Sequence, residues 1–564
     1  MNDIRRTLLW VVFTMSLVLL WDAWNRHTGQ PTIFGPSTPP AAAVGAAAPP
    51  VDAGASTAGV PAPAAAPAAA GTAAVPGASG AAPAVVAGET LTVTTDLYKA
   101  RFSTQGGSMV YLELLKHRDQ ADPSRNVVLF DQSANRLYSA QTGLITAQPG
   151  VQLPNHLSTM TVAPGPRELA NGSDSLQLRF EAPAVDGRRL VKTYTFQRGT
   201  YTVGVRHEFV NEGPAPVTPQ LYLQLTRDGN PPPGESSFYS TFTGPAMYTE
   251  ASKFRKIDFK DIEKGKAEHD KTASEGWVAM VQHYFASAWL LPAGTAREFR
   301  TAKVSENLYS IAMVTPLGEV APGATKAVDS TLFVGPQEEH KLAALAPGLD
   351  LVKDYGWLHV LSKPLFWLLD QLHGMLQNWG WAIVALVVLL EIAFYWLNAA
   401  AYRSMAKMKA LNPRLTDLRE RYKDNPQQMQ QEMMRIYREE KVNPLGGCLP
   451  IVVQIPFFIA LYWVLLSSVE MRNAPWIGWI NDLAAPDPWF ILPILMTASS
   501  LFQVWLNPTP PDPTQAKLMW IMPLAFGVMF FFFPAGLVLY WLTNNVLSIA
   551  QQWFINKQLG VNGK

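Results

Sequence analysis

The sequence contains little cysteine and little charge. Cys448 is the one cysteine among 564 residues, so an internal disulfide framework and a multi-cysteine metal site are both excluded. Charged residues make up 16% of the chain, against about a quarter in typical soluble domains. The formal net charge is +1, which excludes the strong basic field of a nucleic-acid-binding protein. The 18 Trp and 26 Phe residues favour a membrane protein with aromatic side chains at its interfaces.

Signatures of catalysis are also missing. The chain has no Walker motif, no Gly-x-Ser-x-Gly and no His-Glu-x-x-His, so nothing indicates nucleotide hydrolysis or proteolysis. Its nine His residues are scattered and form no evident ligand set. We therefore predict that the protein is not an enzyme and holds no metal and no cofactor.

The first 88 residues predict an anchor and a linker. Arg5 and Arg6 precede an apolar run from Leu8 to Trp21. A cleaved signal peptide would end in small residues, whereas this run ends at Trp21 and Trp24. We expect residues 1–27 to be an uncleaved transmembrane anchor, with a cleaved signal as the alternative. Residues 28–88 are rich in Ala, Pro and Gly, which is typical of a disordered linker.

Residues 89–347 alternate apolar and polar side chains between Gly, Pro and Asn turns, the pattern of half-buried strands. We predict a large antiparallel β-sandwich domain, followed by a short helix over Glu338–Leu345. The clearest strands begin at Leu91, Leu176, Thr193, Tyr201 and Gln220.

The remainder predicts helices in and on a membrane. Residues 355–377 have an apolar stripe and a polar face, as in an interfacial amphipathic helix. Residues 378–564 contain enough apolar sequence for a core of five spans: Trp379–Leu397, Leu449–Val469, Trp489–Leu506, and two passes over Leu518–Trp553 with a break at Pro534-Ala-Gly536.

Charge sets the expected orientation. The loop 402–441 holds ten Lys and Arg residues, whereas the loop 470–488 holds only Arg472. By the positive-inside rule the first loop is cytoplasmic, and it reads as a helical hairpin. With the anchor, the chain is a multi-pass protein of six spans with both termini in the cytoplasm. The β-domain then lies in the periplasm of a two-membrane bacterium.

Several uninterrupted runs are specific enough to compare with known families. They are Ser404-Met-Ala-Lys-Met408, Val442-Asn-Pro-Leu-Gly-Gly-Cys-Leu-Pro450 and Pro534-Ala-Gly-Leu-Val-Leu-Tyr-Trp541. Together they resemble the bacterial YidC family of membrane protein insertases, part of the YidC/Oxa/Alb family. Thr104-Gln-Gly-Gly107 and Gly276-Trp-Val-Ala-Met280 resemble that family's periplasmic region. The resemblance runs from about residue 89 to the end.

The resemblance implies a non-enzymatic insertase and chaperone of the bacterial inner membrane. Such a protein helps integral membrane proteins insert, fold and assemble, alone or with the Sec translocon, through a hydrated intramembrane groove. The expected partners are nascent membrane proteins, the lipid bilayer, and the ribosome or targeting factors at the cytoplasmic hairpin. No nucleic acid binding is expected apart from possible ribosome contact.

Three sets of candidate site residues follow. Polar atoms inside spans must be paired or hydrated, and the resemblance favours a hydrophilic groove over simple interhelical hydrogen bonding. The resemblance also suggests a substrate slide, a set of aromatic side chains along which a client helix moves, although aromatic residues that only face lipid would give the same sequence pattern. Methionine is frequent in the hairpin, which suits docking to varied apolar partners, although a solvated hairpin is the alternative. The sets are Glu391, Asn398, Gln454 and Gln503 for the groove; Tyr395, Phe458, Tyr540 and Trp541 for the slide; and Met405, Met408, Arg419 and Met433 for docking.

Glu391 departs from the family pattern, because the resemblance places a basic or neutral polar residue at this position. Either hydration matters more than the sign of the charge, or a cation such as Arg403 bends toward the carboxylate. The sequence leaves both open.

Two other functions fit some of the residues. A secondary transporter would use Glu391 as its intramembrane carboxylate, although the chain has no evident internal repeat. A tethered carbohydrate-binding β-domain is the other alternative, and fold alone cannot decide it.

Overall fold

The computed structural model describes Val75 and residues 88–120, 122–133, 135–233, 241–422, 425–440, 449–507 and 513–558. The predicted anchor 1–27, nearly all of the predicted linker 28–88, and Cys448 lie outside the described residues. The described chain forms antiparallel sheets followed by a helical region, as the sequence predicts.

The β-domain is built from two antiparallel sheets of nine strands each. Their spatial orders are β1-β2-β3-β4-β5-β10-β17-β16-β13 and β12-β11-β14-β15-β18-β9-β8-β7-β6. The strands are β1 (Thr90–Thr94), β2 (Tyr98–Ser103), β3 (Ser108–Arg118), β4 (Asn126–Ser133), β5 (Arg136–Ile145), β6 (Thr161–Val162), β7 (Ser175–Glu181), β8 (Arg188–Gln197), β9 (Thr202–Asn211), β10 (Gln220–Asp228), β11 (Gly244–Thr249), β12 (Lys253–Lys256), β13 (Thr272–Ala273), β14 (Trp277–Gln282), β15 (Phe285–Leu290), β16 (Arg297–Ser305), β17 (Leu308–Pro316) and β18 (Thr325–Pro336).

The five strands predicted as clearest are confirmed as β1, β7, β8, β9 and β10. Strand β7 alternates exposed and buried residues along its length, because successive side chains point to opposite faces of the sheet. Strands β14 and β15 are buried throughout. One hydrophobic core joins the two sheets and contains Trp277 and Trp289, and Tyr138 of the first sheet hydrogen bonds Ser287 of the second at 2.5 Å.

A buried polar cluster lies between the sheets around Lys192. Its Nζ donates to the carbonyl oxygens of Gly106 at 2.6 Å and Thr142 at 2.7 Å. The Thr142 hydroxyl lies 2.9 Å from His207 Nε2. Burial lowers the pKa of Lys192 to about 7, and it lowers the pKa of His207 well below the ordinary value. Both groups lose charge when desolvated because a low-dielectric interior disfavours the cation.

The Lys192→Met variant tests this cluster through pH. Unfolded Lys keeps its proton up to about pH 10.4, whereas folded Lys192 releases it above about pH 7. The unfolded chain therefore binds more protons between pH 7 and 9, so stability should rise with pH by up to about 2 kcal/mol. We expect Lys192→Met to flatten that rise, measured by urea unfolding of the detergent-solubilised full chain at pH 7, 8 and 9. An unchanged slope in the variant would show that another group titrates.

The helical region follows the β-domain. Its helices, numbered with one short helix inside the β-domain, are α1 (Phe259–Glu263), α2 (Glu339–Leu345), α3 (His359–Leu376), α4 (Trp379–Ala393), α5 (Tyr395–Arg421), α6 (Pro426–Glu439), α7 (Leu449–Ser467), α8 (Ile491–Leu506), α9 (Pro513–Phe530) and α10 (Ala535–Gln558). The predicted short helix over Glu338–Leu345 is confirmed as α2.

Local sequence explains several helix ends. The Asn378 side chain accepts a hydrogen bond from Trp381 N at 3.1 Å and caps α4. Asn425 caps α6 by accepting from Gln428 N, with Pro426 in the first turn. Short polar side chains at these positions satisfy amide groups that the helix leaves free. Pro534 precedes α10, where the sequence predicts a break.

The prediction of one continuous helix over Trp379–Leu397 is wrong. The chain breaks at Phe394, between α4 and α5, and the two helices are bent by 66°. The Phe394 ring packs on Phe457 of α7, with centroids 5.1 Å apart. Helix α5 then runs on to Arg421, through the start of the predicted hairpin at residue 402.

The length and composition of the helices bear on membrane crossing. Within the described ranges, no single helix is both long and apolar enough to cross a bilayer. The bent pair Trp379–Ala393 and Tyr395–Met408 passes that test together.

The β-domain and the helices meet at the connection between α7 and α8. Val469 belongs to the core of the β-domain. Lys353 is fully buried and pairs with both carboxylate oxygens of Glu470 at 3.0 Å. The Arg472 guanidinium donates to the Arg118 carbonyl and lies over the rings of Tyr284 and Phe285.

Candidate functional site

The candidate site forms where the bend brings Asn398 against Glu391. In a straight helix these residues would be about 10.5 Å apart along the axis, at about 1.5 Å per residue. With the 66° bend, Asn398 Nδ2 donates to Glu391 Oε2 at 3.1 Å. Asn398 is buried, at 5% exposure, so it has little access to solvent as an alternative partner.

Two further helices contribute to this contact. Gln454 of α7 donates from Nε2 to Asn398 Oδ1 at 3.3 Å. Ser548 of α10 donates from Oγ to Glu391 Oε1 at 3.5 Å. We call Glu391, Asn398, Gln454 and Ser548 the polar cluster. Four helices meet in it: α4, α5, α7 and α10.

Neutral donors hold the Glu391 carboxylate. Arg403, which the sequence offered as a possible partner, is exposed, and no ion pair among the described residues includes Glu391. The contacts that the structure describes for Glu391 are with uncharged side chains, so they do not include the cation that one of the two alternatives requires.

Gln503 is the predicted groove residue that stands apart. It lies on α8 and is half-buried, and in the described part of the chain no hydrogen bond joins its side chain to the polar cluster. Another polar contact links α8 to α10, because Asn545 Nδ2 donates to Ser500 Oγ at 2.8 Å. Gln552 likewise donates to Asn507 Oδ1 at 2.9 Å.

Three of the predicted slide residues lie together. The Phe458 ring is 5.9 Å from that of Tyr540, and the Tyr540 ring is 6.4 Å from that of Trp541. Tyr540 is only 2% exposed, because it packs in the helical core. Tyr395 is 44% exposed and lies on α5. An apolar cavity of 520 Å³ opens elsewhere, between α8 and α9.

The predicted docking methionines face mainly into the hairpin. Met408 of α5 and Met433 of α6 pack against Leu411 and Leu415 in a small core between the two helices. Met405 is half-buried, and the side chain of Arg419 lies outside the described residues. The methionine that this hairpin exposes is Met434, at 43%, which the sequence reading passed over as a docking residue.

Two family models match consecutive parts of the chain. The one described as the YidC periplasmic domain matches residues 90–368, and the one described as 60Kd inner membrane protein matches residues 371–562. Proteins called membrane protein insertase YidC match the full length. The protein from Cupriavidus necator is 57% identical over 558 residues, covering 99% of this chain and 98% of the relative.

The chain belongs to the YidC family of membrane protein insertases. The relative from Janthinobacterium is 53% identical and covers 99% of this chain and 100% of its own length. A crystal structure entitled active YidC insertase, with the first transmembrane domain resolved, matches with a TM-score of 0.38 and 19% identity, over 82% of this chain and 92% of that one. The family is one of inner-membrane proteins with a periplasmic domain.

The polar cluster lies wholly within the inner-membrane part of the YidC match. Sequence reasoning found Glu391, Asn398 and Gln454 because polar residues are rare in apolar spans. Ser548 is not among the predicted groove residues, and it lies between 543 and 552, where several polar residues occur close together. Ser548 is identified only in the structure, where the packing of α10 against α4 brings its hydroxyl to Glu391. Among the described residues, no group of His, Cys, Asp and Glu could hold a metal.

Proposed function

We propose that this protein inserts nascent membrane proteins into the bacterial inner membrane and assists their folding and assembly, alone or with the Sec translocon. The polar cluster is the observation that carries this proposal, supported by membership of the YidC family. A polar side chain in hydrocarbon needs a partner or water. A client's polar tail, crossing the same layer, can use the groups that form the cluster.

The energy for insertion would come from the client. Burying its apolar helix in lipid yields about 25 cal/mol per Å² of apolar surface, so no nucleotide is required. The groove lowers the barrier by shortening the dehydrated path of the tail. This protein is thus a catalyst of insertion in the kinetic sense, although it makes and breaks no covalent bond.

The proposed organisation is that of the sequence prediction. Six spans, with both termini in the cytoplasm, comprise the anchor 1–27 and five spans within 378–564. The linker 28–88 leads to the periplasmic domain 89–347, and the amphipathic helix 355–377 lies at the interface. The strong Lys and Arg bias between the loops 402–441 and 470–488 supports this orientation.

The slide is proposed for the surface that includes Tyr395 and the edge of the Phe458, Tyr540 and Trp541 group. Aromatic rings offer a large apolar area for a client helix. Since Tyr540 is buried, its role is to support Phe458 and Trp541, and these half-buried rings make the contact with the client.

Docking to the ribosome or to targeting factors is proposed for the outer face of the hairpin. A photoreactive residue replacing Met434 should crosslink to cytoplasmic partners in cells making membrane proteins. The same residue replacing Met433, which packs inside the hairpin, should crosslink to the hairpin itself. Crosslinks from Met434 to periplasmic proteins would contradict both the docking surface and the proposed orientation.

Substitutions at Glu391 test the groove. Glu391→Leu removes the acceptor for Asn398 and Ser548, so insertion should fall about tenfold, which is about 1.4 kcal/mol of barrier. Glu391→Gln keeps polar atoms in place and should stay within about twofold of the parent for a client with an uncharged tail. The measurement is the insertion rate in proteoliposomes of equal protein content.

Gln503→Leu is the matched control, since it removes a polar side chain of similar size outside the polar cluster. We expect it to cost less than Glu391→Leu. Equal activity of Glu391→Leu and the parent protein would refute the groove at this position.

A further inference from the structure

The hydrogen-bond donors that the structure describes for the Glu391 carboxylate are uncharged side chains, not cations. The carboxylate accepts from the Asn398 amide at 3.1 Å and, at the longer distance of 3.5 Å, from the Ser548 hydroxyl. Carboxylates bind most strongly to Arg and Lys through charge-assisted hydrogen bonds. In the described part of the structure, no such partner reaches Glu391.

The surrounding helices enforce this arrangement. The Asn398 amide cannot turn its Nδ2 to another acceptor without losing the hydrogen bond that Gln454 donates to its Oδ1 at 3.3 Å. Ser548 is 7% exposed, so its hydroxyl has little access to solvent. Arg403, one residue beyond Tyr402, is exposed and so keeps its hydration. Glu391 itself is half-buried, so a group entering the groove could reach it.

We infer that Glu391 makes this insertase selective for the charge of the translocated tail, favouring tails with Lys or Arg and disfavouring tails with Asp or Glu. The inference rests on the proposed function. A cation from the client would pair with a carboxylate that now has only neutral donors. An acidic tail would place two like charges in a medium of low dielectric constant, where repulsion is weakly screened.

The experiment uses the full chain in proteoliposomes with no imposed membrane potential, so that no external field favours either charge. The probe is one single-spanning client in three forms, whose short translocated tail carries two Lys, two Gln or two Asp residues. Insertion is measured as protease protection of the tail. The parent should insert the Lys form about tenfold faster than the Asp form.

Two variants and a control separate charge from polarity. Glu391→Gln should bring the Lys and Asp rates within about twofold of each other, and Glu391→Arg should reverse their order. Asp329→Asn changes the net charge by the same amount as Glu391→Gln, but at an exposed site of the β-domain, where Asp329 pairs with Arg206 at 3.1 Å. That control should keep the parent's ratio.

Failure of the inference is distinct from failure of the proposed function. If the parent inserts all three forms at one rate, or if Glu391→Gln keeps the parent's ratio, Glu391 does not select by charge and the insertase function stands. If the parent inserts none of the three forms above empty vesicles, the proposed function itself fails. If Glu391→Arg accelerates the Lys form, the sign of the inference is wrong.

Discussion

The Lys353→Met variant is expected to lose about 3 kcal/mol of stability. Lys353 is fully buried and its Nζ lies 3.0 Å from both carboxylate oxygens of Glu470 and 3.6 Å from the centroid of the Phe366 ring. Removing one partner of a buried ion pair leaves the other charge uncompensated, which costs about 3–5 kcal/mol. Glu470 keeps 18% exposure, so the lower end applies. Thermal and urea unfolding of the detergent-solubilised full chain would measure the loss.

Lys363→Met is the matched control. Lys363 pairs with Asp350 at 2.7 Å, but its side chain is 55% exposed, and exposed ion pairs contribute about 1 kcal/mol or less. The double variant Lys353→Met/Glu470→Leu should recover much of the loss, because it leaves no charge behind. If Lys353→Met is as stable as Lys363→Met, the pair does not hold the β-domain to the α7–α8 connection.

Gly106→Ala should destabilise the β-domain by about 3 kcal/mol or more. Gly106 has φ +68°, and a Cβ added there would lie 2.3 Å from the His156 carbonyl oxygen. A left-handed conformation costs a residue with a Cβ about 1 kcal/mol, and overpacking against fixed backbone adds about 1–3 kcal/mol. The Gly106 carbonyl also accepts a hydrogen bond from the buried Lys192, so any shift of this turn disturbs the hydrogen bonds around Lys192.

Gly150→Ala isolates the contribution of backbone conformation. Gly150 has φ +76°, with nothing within 4 Å of an added Cβ. Gly150→Ala should therefore lower the stability by only about 1 kcal/mol. The comparison is the shift in urea midpoint between the two variants. Equal shifts would mean that the chain near His156 moves aside without cost.

Much of the fold could be predicted from sequence because burial follows simple periods. In strand β9 every second residue is buried, and most of the buried residues are apolar. Strands β14 and β15 are short, mainly apolar segments in which every residue is buried. Asn425-Pro426 marks the hairpin turn because both residues carry local backbone preferences. Such patterns involve only a few neighbouring residues, so they can be recognised without knowing which other part of the chain packs against them.

The candidate site was only partly predictable. Glu391, Asn398 and Gln454 stand out as polar residues in apolar segments, and the structure brings all three together. Gln503 has the same sequence signal, yet its side chain takes no described part in the cluster. A polar residue in an apolar segment can be recognised from the sequence as one that needs a hydrogen-bond partner. Which partner it contacts depends on how its helix packs in the bundle.

The sequence by itself determined that an antiparallel β-domain is followed by a helical region, that the chain belongs to the YidC family, and which residues form most of the polar cluster. Tertiary structure alone decided the bend at Phe394, where neither Pro nor Gly marks a break, and the packing of Phe394 on Phe457. It also buried Tyr540 and turned Met408 and Met433 into the hairpin. The physical reason is range: strand alternation and helix caps act between neighbours in the chain, whereas a bend of this kind depends on contacts between helices about sixty residues apart.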